Sequence, residues 1–353
     1  MSQLPGNTTH PNDGGAWPTL LKGNLRTGGQ NSLTPRAPKR VRWQARLGSS
    51  IRSAPVLRNE LLYVTVTGGT LYAIDVSSGR PKWRFQIADQ IHSTPSVSNN
   101  KVFFGCDSGT VYAVNGDTGR MVWDAAASGE VWTSPVVSGG VVFFGSAGAR
   151  LYAVDAETGH KRWTQEFGGR IYSTPFVAGN QLYFGCGDGN VYGVEAATGK
   201  VLWRTPTGNG IDSSAAVASG TVLIGSEDFF FYALDANTGA VRWKYETGLG
   251  IASSPAVAGD LVIVGSKDGY LYALEVLTGT FKWKAQAGEV VTAPPVIAGG
   301  LVCVQTGGIF AFDIASGKLA WRAGVGGAVQ SAPVLAEDVI YLASLDGDVY
   351  ALE

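Results

Sequence analysis

Between residues 131 and 163 the chain reads Val131-Trp132-Thr133-Ser134-Pro135-Val136-Val137, then Val141-Val142-Phe143-Phe144-Gly145, then Leu151-Tyr152-Ala153-Val154-Asp155, then Thr158-Gly159 and Trp163. Each apolar run is four to seven residues long, rich in Val, Phe and Tyr, and bounded by Gly, Asp, Asn or Ser. Runs of that length and composition fit strands and are too short for helices. Four strands, A to D, are read here, with Trp163 on strand D. The A-to-B link is a tight pair at Asn99-Asn100, Gly139-Gly140, Gly179-Asn180, Gly259-Asp260 and Gly299-Gly300. Two-residue hairpins of the primed types need positive φ, which Gly, Asn and Asp supply most cheaply. The C-to-D link carries Ser or Thr followed by Gly, as at Ser78-Gly79, Thr158-Gly159 and Ser316-Gly317. There the Gly can turn left-handed and the hydroxyl can bond its own backbone. The unit is an antiparallel meander.

The unit repeats. Tryptophan stands at Trp43, Trp83, Trp123, Trp163, Trp203, Trp243 and Trp283, forty residues apart each time, and once more at Trp321 after a two-residue deletion. A period of about 40 to 45 residues with several short alternating runs per unit marks a four-stranded propeller blade. Strand A opens on a Ser-x-Pro signal at Ser53, Ser93, Thr133, Ser173, Ser213 (with Ala215 for Pro), Ser253, Ala293 and Ser331, which counts eight blades. The strand C signal, Tyr-Ala in most units, ends at Tyr350-Ala351, so the eighth unit lacks a strand D. A spare strand D, Arg40 to Arg46 around Trp43, precedes the first unit. The fold expected is an all-β, eight-bladed propeller over 39–353, closed by that N-terminal strand, which removes exposed edges. Residues 1–38 are expected to be a disordered or extended lead-in, and the closed ring to be a monomer.

Composition agrees with one β-rich domain: 45% apolar, 10% aromatic and only 16% charged residues are ample for a core. Nine Lys or Arg and no acid lie between Gly14 and Asn59, whereas Glu60 to the end holds eighteen basic and twenty-seven acidic residues. A basic segment against an acidic ring explains that asymmetry, and a lone basic arm is no nucleic-acid footprint. Cys106, Cys186 and Cys303 fall in strand B of blades two, four and seven, too far apart for a disulfide and without metal-ligand spacing, so they read as buried small residues. No run approaches the roughly 18 apolar residues of a membrane span. Met1 to Ala16 is polar, with no basic start or apolar stretch, and is not expected to be a secretory leader. The compartment stays open between cytoplasm and cell envelope.

The stretch Ala73-Ile74-Asp75-Val76-Ser77-Ser78-Gly79-Arg80-Pro81-Lys82-Trp83, with copies at Ala153 to Trp163 and Ala233 to Trp243, resembles the tryptophan-docking motif of the pyrroloquinoline quinone (PQQ) repeat family. Trp17-Pro18 through Gly23 to Arg26-Thr27-Gly28 resembles the lead-in before that family's first blade. The resemblance implies an eight-bladed propeller in which each repeated Trp packs its indole onto the neighbouring blade. A large flat side chain with one N–H donor suits that task. All eight repeated tryptophans are therefore expected to be structural.

For function the resemblance leaves classes to separate. One is a non-catalytic scaffold, similar to the propeller subunits of outer-membrane protein assembly machinery, presenting loops to protein partners and needing no cofactor. The alternative is a quinoprotein dehydrogenase, or a PQQ- or small-ligand-binding sensor. That chemistry needs a calcium ion held by carboxylate and amide oxygens, a catalytic carboxylate and, in the family, an adjacent Cys-Cys disulfide. No two cysteines here are adjacent, and seven units have essentially no insertion. The scaffold is the reading favoured, with no catalytic, cofactor or metal residue assigned. A metal-dependent hydrolase would need several ligands aimed at the axis, where His92, Asp212 and Gln330 lie in separate blades.

Positions that differ between repeats are free to serve something other than the fold. Before each Ser-x-Pro signal stand Arg52, His92, Trp132, Tyr172, Asp212, Ala252, Thr292 and Gln330, while the residue preceding each of these is always Ile or Val. Strand A is the innermost strand, and its start faces the central channel on the side where the D-to-A loops cross. The B-to-C turns open on the same face and vary too, as in Asp107-Ser108-Gly109, Glu227-Asp228-Phe229-Phe230 and Lys267-Asp268-Gly269. Single Asp-Gly pairs at such tips are turn chemistry rather than calcium ligands. Partner binding is expected on this face, through Arg52, His92, Trp132, Tyr172, Asp212, Phe229 and Phe230. Exposed aromatics beside a cation have the composition of binding hot spots.

Overall fold

A computed structural model describes residues 35–324, 331–336 and 338–353. Residues 1–34, including the Trp17 to Gly28 stretch, lie outside the described residues, as do Val329 and Gln330. The described chain forms eight four-stranded antiparallel sheets. Seven are consecutive meanders, from Val56–Arg58 through Pro81–Gln86 in blade 1 to Val296–Ala298 through Leu319–Ala323 in blade 7. Blade 8 is built from Val334–Ala336, Val339–Ala343 and Asp348–Leu352, and is completed by the N-terminal strand Val41–Arg46. Trp43 faces Ala351 and Arg46 faces Asp348 across that pair. Glu353 O also accepts from Lys39 N and Arg40 N. The ring therefore closes as the spare strand required.

Strand A is shorter than its apolar run. In blade 3 only Val136–Ser138 pairs, although the run begins at Val131. Pro135 has no N–H to donate, and the Thr133 hydroxyl takes over, bonding both Gly145 N (3.1 Å) and Gly145 O (2.9 Å). The N–H beside it crosses to the next blade: Ser134 N donates to Thr174 Oγ1, Thr174 N to Ser214 Oγ and Ser214 N to Ser254 Oγ, all at 3.0 to 3.1 Å. An inner belt of hydroxyls thus joins successive blades.

The A-to-B hairpins split by residue type. Asn99-Asn100, Gly139-Gly140, Ser219-Gly220 and Gly299-Gly300 are left-handed at both positions, while in Gly179-Asn180 and Gly259-Asp260 only the Gly is. Those are the φ signatures of type I′ and type II′ turns.

The core lies between blades. Phe103 and Val111 of blade 2, for example, share one buried cluster with Phe144 and Tyr152 of blade 3. The outer joints belong to the repeated tryptophans. Trp43 Nε1 donates to Val76 O (2.7 Å), Trp83 to Gly116 O (2.9 Å), Trp123 to Ala156 O (3.1 Å) and Trp163 to Ala196 O (2.9 Å). Trp203, Trp243 and Trp283 continue with Ala236 O, Val276 O and Ile314 O. Each donor is on the outermost strand of one blade and each acceptor on the C-to-D turn of the next. Trp321 has no such turn ahead of it, and donates instead to Pro35 O at 3.0 Å. The C-to-D glycines are needed twice over. Gly239 has φ +72°, and a Cβ there would stand 2.7 Å from Trp203 Cδ2. Asp or Asn opens most of these turns, as where Asp155 Oδ1 accepts from Glu157 N, Thr158 N and the Thr158 hydroxyl.

The three cysteines are free and buried. Cys106 and Cys186 follow the last strand B residue by one place and Cys303 lies within its strand. Burial pushes the Cys186 and Cys303 thiols up to about 12, so neither forms a reactive thiolate at neutral pH.

Candidate functional site at the mouth of the ring

Backbone bonds fix which loops share a face. Asp107 N donates to Gln90 O, Gly187 N to Arg170 O and Glu227 N to Gly210 O, tying each B-to-C turn to the D-to-A loop entering the same blade. At the mouth the two adjacent positions part as their chemistry demands. Ile51, Val131, Ile171, Ile211, Ile251 and Val291 are fully buried and Ile91 nearly so. Val131, Ile171, Ile211, Ile251 and Val291 are each gripped from behind by a Gly in strand B of the preceding blade, since a Cβ on Gly145 would run into Ile171 and one on Gly185 into Ile211. The residues that follow them, Arg52 through Thr292, are half-buried or exposed.

Three of these join into a stack. His92 and Trp132 have ring centroids 5.2 Å apart, and Trp132 and Tyr172 lie 4.8 Å apart with planes 16° from parallel. Asp107 holds the first two together, accepting from Trp132 Nε1 at 2.8 Å and standing 3.5 Å from His92 Nε2. The Tyr172 ring also carries the Arg170 guanidinium, 5.0 Å from its centroid. A run of three rings and a cation therefore crosses blades 2, 3 and 4, while Trp132 stays 41% exposed. Fixing an exposed indole in this way spares the entropy of ordering it when a partner arrives.

The stack leads into a pocket of about 560 Å³ lined by Arg170, Gly187, Asn209, Gly210, Asp212, Glu227 and Lys267. Lys267 Nζ reaches both Glu227 oxygens, at 2.7 and 2.8 Å. Asp212 is half-buried, and burial pushes its carboxyl above the ordinary range, opposed by the Arg170 and Lys267 charges and reinforced by Glu227.

Arg52 is exposed at the mouth and joins none of these groups among the described residues. Phe229 and Phe230 share the face but not the stack. Phe230 packs laterally, with Lys244 Nζ 4.1 Å from its centroid and Tyr232 at 6.2 Å. Phe229 is 43% exposed and has φ +77°, at the turn position that Gly69, Gly109, Gly189 and Gly269 occupy in other blades. A bulky side chain there is strained. The neighbouring aspartates are turn builders: Asp228 Oδ2 accepts from the Tyr232 hydroxyl and from Gly208 N, and Asp268 Oδ2 from Tyr272 and Gly248 N.

Asp107, Glu227 and Lys267 had been visible only as variation among turns, and Arg170 not at all. Its place in a loop of irregular composition gives no periodic signal. Among the described residues no group of three His, Cys, Asp or Glu side chains is arranged to hold a metal ion, and no helix is long and apolar enough to cross a membrane.

Comparison with known proteins bears on family and fold. The family model for outer membrane protein assembly factor BamB matches residues 27–130, 107–208, 187–294 and 286–353. No curated protein matches the chain in sequence. Among solved structures, BamB from Moraxella catarrhalis is 19% identical with a TM-score of 0.77, covering 89% of this chain and 99% of that one. The quinohemoprotein alcohol dehydrogenase from Comamonas testosteroni is 16% identical with a TM-score of 0.80, covering 96% and 80%. A europium-containing methanol dehydrogenase is 14% identical with a TM-score of 0.81, covering 96% and 98%. At these identities the structures share the fold alone, whereas the family model runs through all eight blades: the chain belongs to the BamB family of PQQ-repeat propellers.

Proposed function

We propose that this chain is a non-catalytic propeller that presents its loop-bearing mouth to protein partners in the cell envelope, a reading that the family name, outer membrane protein assembly factor, supports for the compartment. The observation that carries the reading is Trp132, an indole held from two sides by His92 and Tyr172 and hydrogen-bonded to Asp107, yet 41% exposed. Rigid, partly exposed aromatics flanked by charge are what protein interfaces are anchored on. Phe229, displayed at the expense of backbone strain, adds a second aromatic on that face. The dehydrogenase alternative meets a misfit. A calcium ion beside Asp212 and Glu227 would face Arg170 and Lys267, two cations lining the same pocket. The free, separated cysteines supply no disulfide for a quinone to lie on. Residues at the mouth thus favour recognition over quinone chemistry.

Photo-crosslinkers placed at position 132 and at position 229, with a control at Thr238 on the opposite face, test the proposal in cells. A defined protein partner captured from 132 and 229 and not from 238 is the expected result. Equal capture from both faces, or capture from 238 alone, would refute it. Bound quinone, or an absorbance change when PQQ and calcium are added to the purified protein, would favour the alternative.

A further inference from the structure

The pocket between blades 4, 5 and 6 is a charged cavity in which two partners are satisfied and two are not. Lys267 and Glu227 neutralise each other. Arg170 is oriented by stacking over Tyr172, a contact that uses none of its five N–H donors. Among the described residues no acceptor meets those donors, and the half-buried Asp212 carboxylate accepts no hydrogen bond. The two are near enough for the Arg170 charge to act on Asp212, yet they form no ion pair.

Glycine keeps the arrangement open. A Cβ on Gly187 would stand 2.8 Å from Arg170 Cγ and push the guanidinium out of its place, and one on Gly250 would collide with the Glu227 carboxylate. With two cations and two carboxylates the lining is neutral as a whole. An anion entering alone would meet Asp212 and Glu227, and a cation alone would meet Arg170 and Lys267. A guest carrying both charges offends neither pair.

We propose that this pocket binds a free α-amino acid, its carboxylate taken by the Arg170 guanidinium and its ammonium by Asp212. The guanidinium fork matches a carboxylate in two parallel hydrogen bonds, and Asp212 gains the cation its half-buried site lacks. The Lys267–Glu227 pair walls the pocket without competing for either end. His92, Trp132 and Tyr172 act at a distance as the stack that holds Arg170 in position. This site stands apart from the protein-partner reading and does not depend on it.

Calorimetric titration of the intact protein with each of the twenty L-amino acids tests it. At least one is expected to saturate with a Kd of about 1 mM or tighter. Its deaminated and decarboxylated analogues (for leucine, 4-methylpentanoate and 3-methylbutylamine) should bind about tenfold or more weakly, because each lacks one charge. Arg170→Gln and Asp212→Asn should each weaken binding to a similar degree, while Arg162→Gln, outside the pocket, leaves it unchanged. Circular dichroism and melting curves on the same samples show that the variants are folded. Saturation by none of the twenty up to roughly 20 mM overturns the proposal, as does binding that survives both substitutions. Equal binding of the amine alone also overturns it, and would assign the pocket to a basic side chain of a protein partner.

Discussion

Trp203→Ala measures what one inter-blade joint contributes. The indole is 8% exposed, lies over Gly239 of the next blade, sits 5.8 Å from Tyr183, and donates to Ala236 O at 3.0 Å. A buried Trp removes up to about 250 Å² from water, which at about 25 cal/mol per Å² is roughly 6 kcal/mol. Residual compactness of the unfolded chain lowers that by some 10–40%, and the retained Ala methyl lowers it further, to about 3–4 kcal/mol. Leaving the Ala236 carbonyl without its donor adds about 1 kcal/mol. The expected loss is therefore about 4–5 kcal/mol, at the upper end for large-to-small core changes. Urea denaturation followed by far-ultraviolet circular dichroism reads it as a lower midpoint at constant slope. Trp203→Phe keeps most of the apolar area and loses the hydrogen bond, so it should cost about 1–2 kcal/mol. A loss below about 1 kcal/mol for Trp203→Ala, or equal losses for Ala and Phe, would refute this account of the joint.

Deleting residues 1–47 removes the outermost strand of blade 8 and should lower stability by several kcal/mol while exposing a strand edge that aggregates; a truncated protein as stable and monomeric as its parent contradicts the closure. Asp212→Asn should raise the melting temperature at neutral pH. The folded-state pKa of Asp212 lies above its unfolded value, so the stability it contributes is present at low pH and lost as pH rises through the folded pKa. An unchanged or lowered melting temperature at pH 7 argues against that burial. Asp235 runs the other way: hydrogen bonds from Arg242 and then Thr238 hold its carboxyl down to about 2. Its contribution is present above the unfolded value and disappears between about pH 4 and pH 2, so the difference between the parent and Asp235→Asn should shrink toward zero over that window. Phe229→Gly relieves a left-handed aromatic and should stabilise by about 1 kcal/mol in chemical denaturation while weakening partner crosslinking from this face; destabilisation would mean that the ring contributes more to packing than its exposure indicates.

Blade count, strand order and closure were legible because each rests on a repeated residue with one physical task. Trp at forty-residue spacing, Ser or Thr before Gly, and β-branched residues before the variable position each mark a contact made over and over. The length of strand A was less legible, because the Thr133 hydroxyl replaces a ladder bond that the apolar run alone suggests. The mouth was half legible. Variation at positions 52 to 292 located it, but the stack depends on rings from different blades meeting at about 5 Å, and forty residues separate each pair. Arg170 escaped notice because a loop residue is recruited by what it lies against, here Tyr172, and composition does not record that.

The Trp bridges differ in how far along the chain they reach, and this bears on the order of assembly. Trp203 and its acceptor are separated by 33 residues, whereas Arg40 and Glu353, paired at the closure, are separated by 313. Loop closure scales as three halves of RT times the logarithm of length, so bringing the closing ends together costs about 2 kcal/mol more entropy than forming one internal bridge. The internal bridges need only adjacent segments, and they can accumulate one blade at a time while the chain emerges. On that entropy, joining of the ends is expected to come last. Until then the species present is an open arc with two unpaired edges, and concentration at that stage decides whether an edge meets its own chain or a neighbour's.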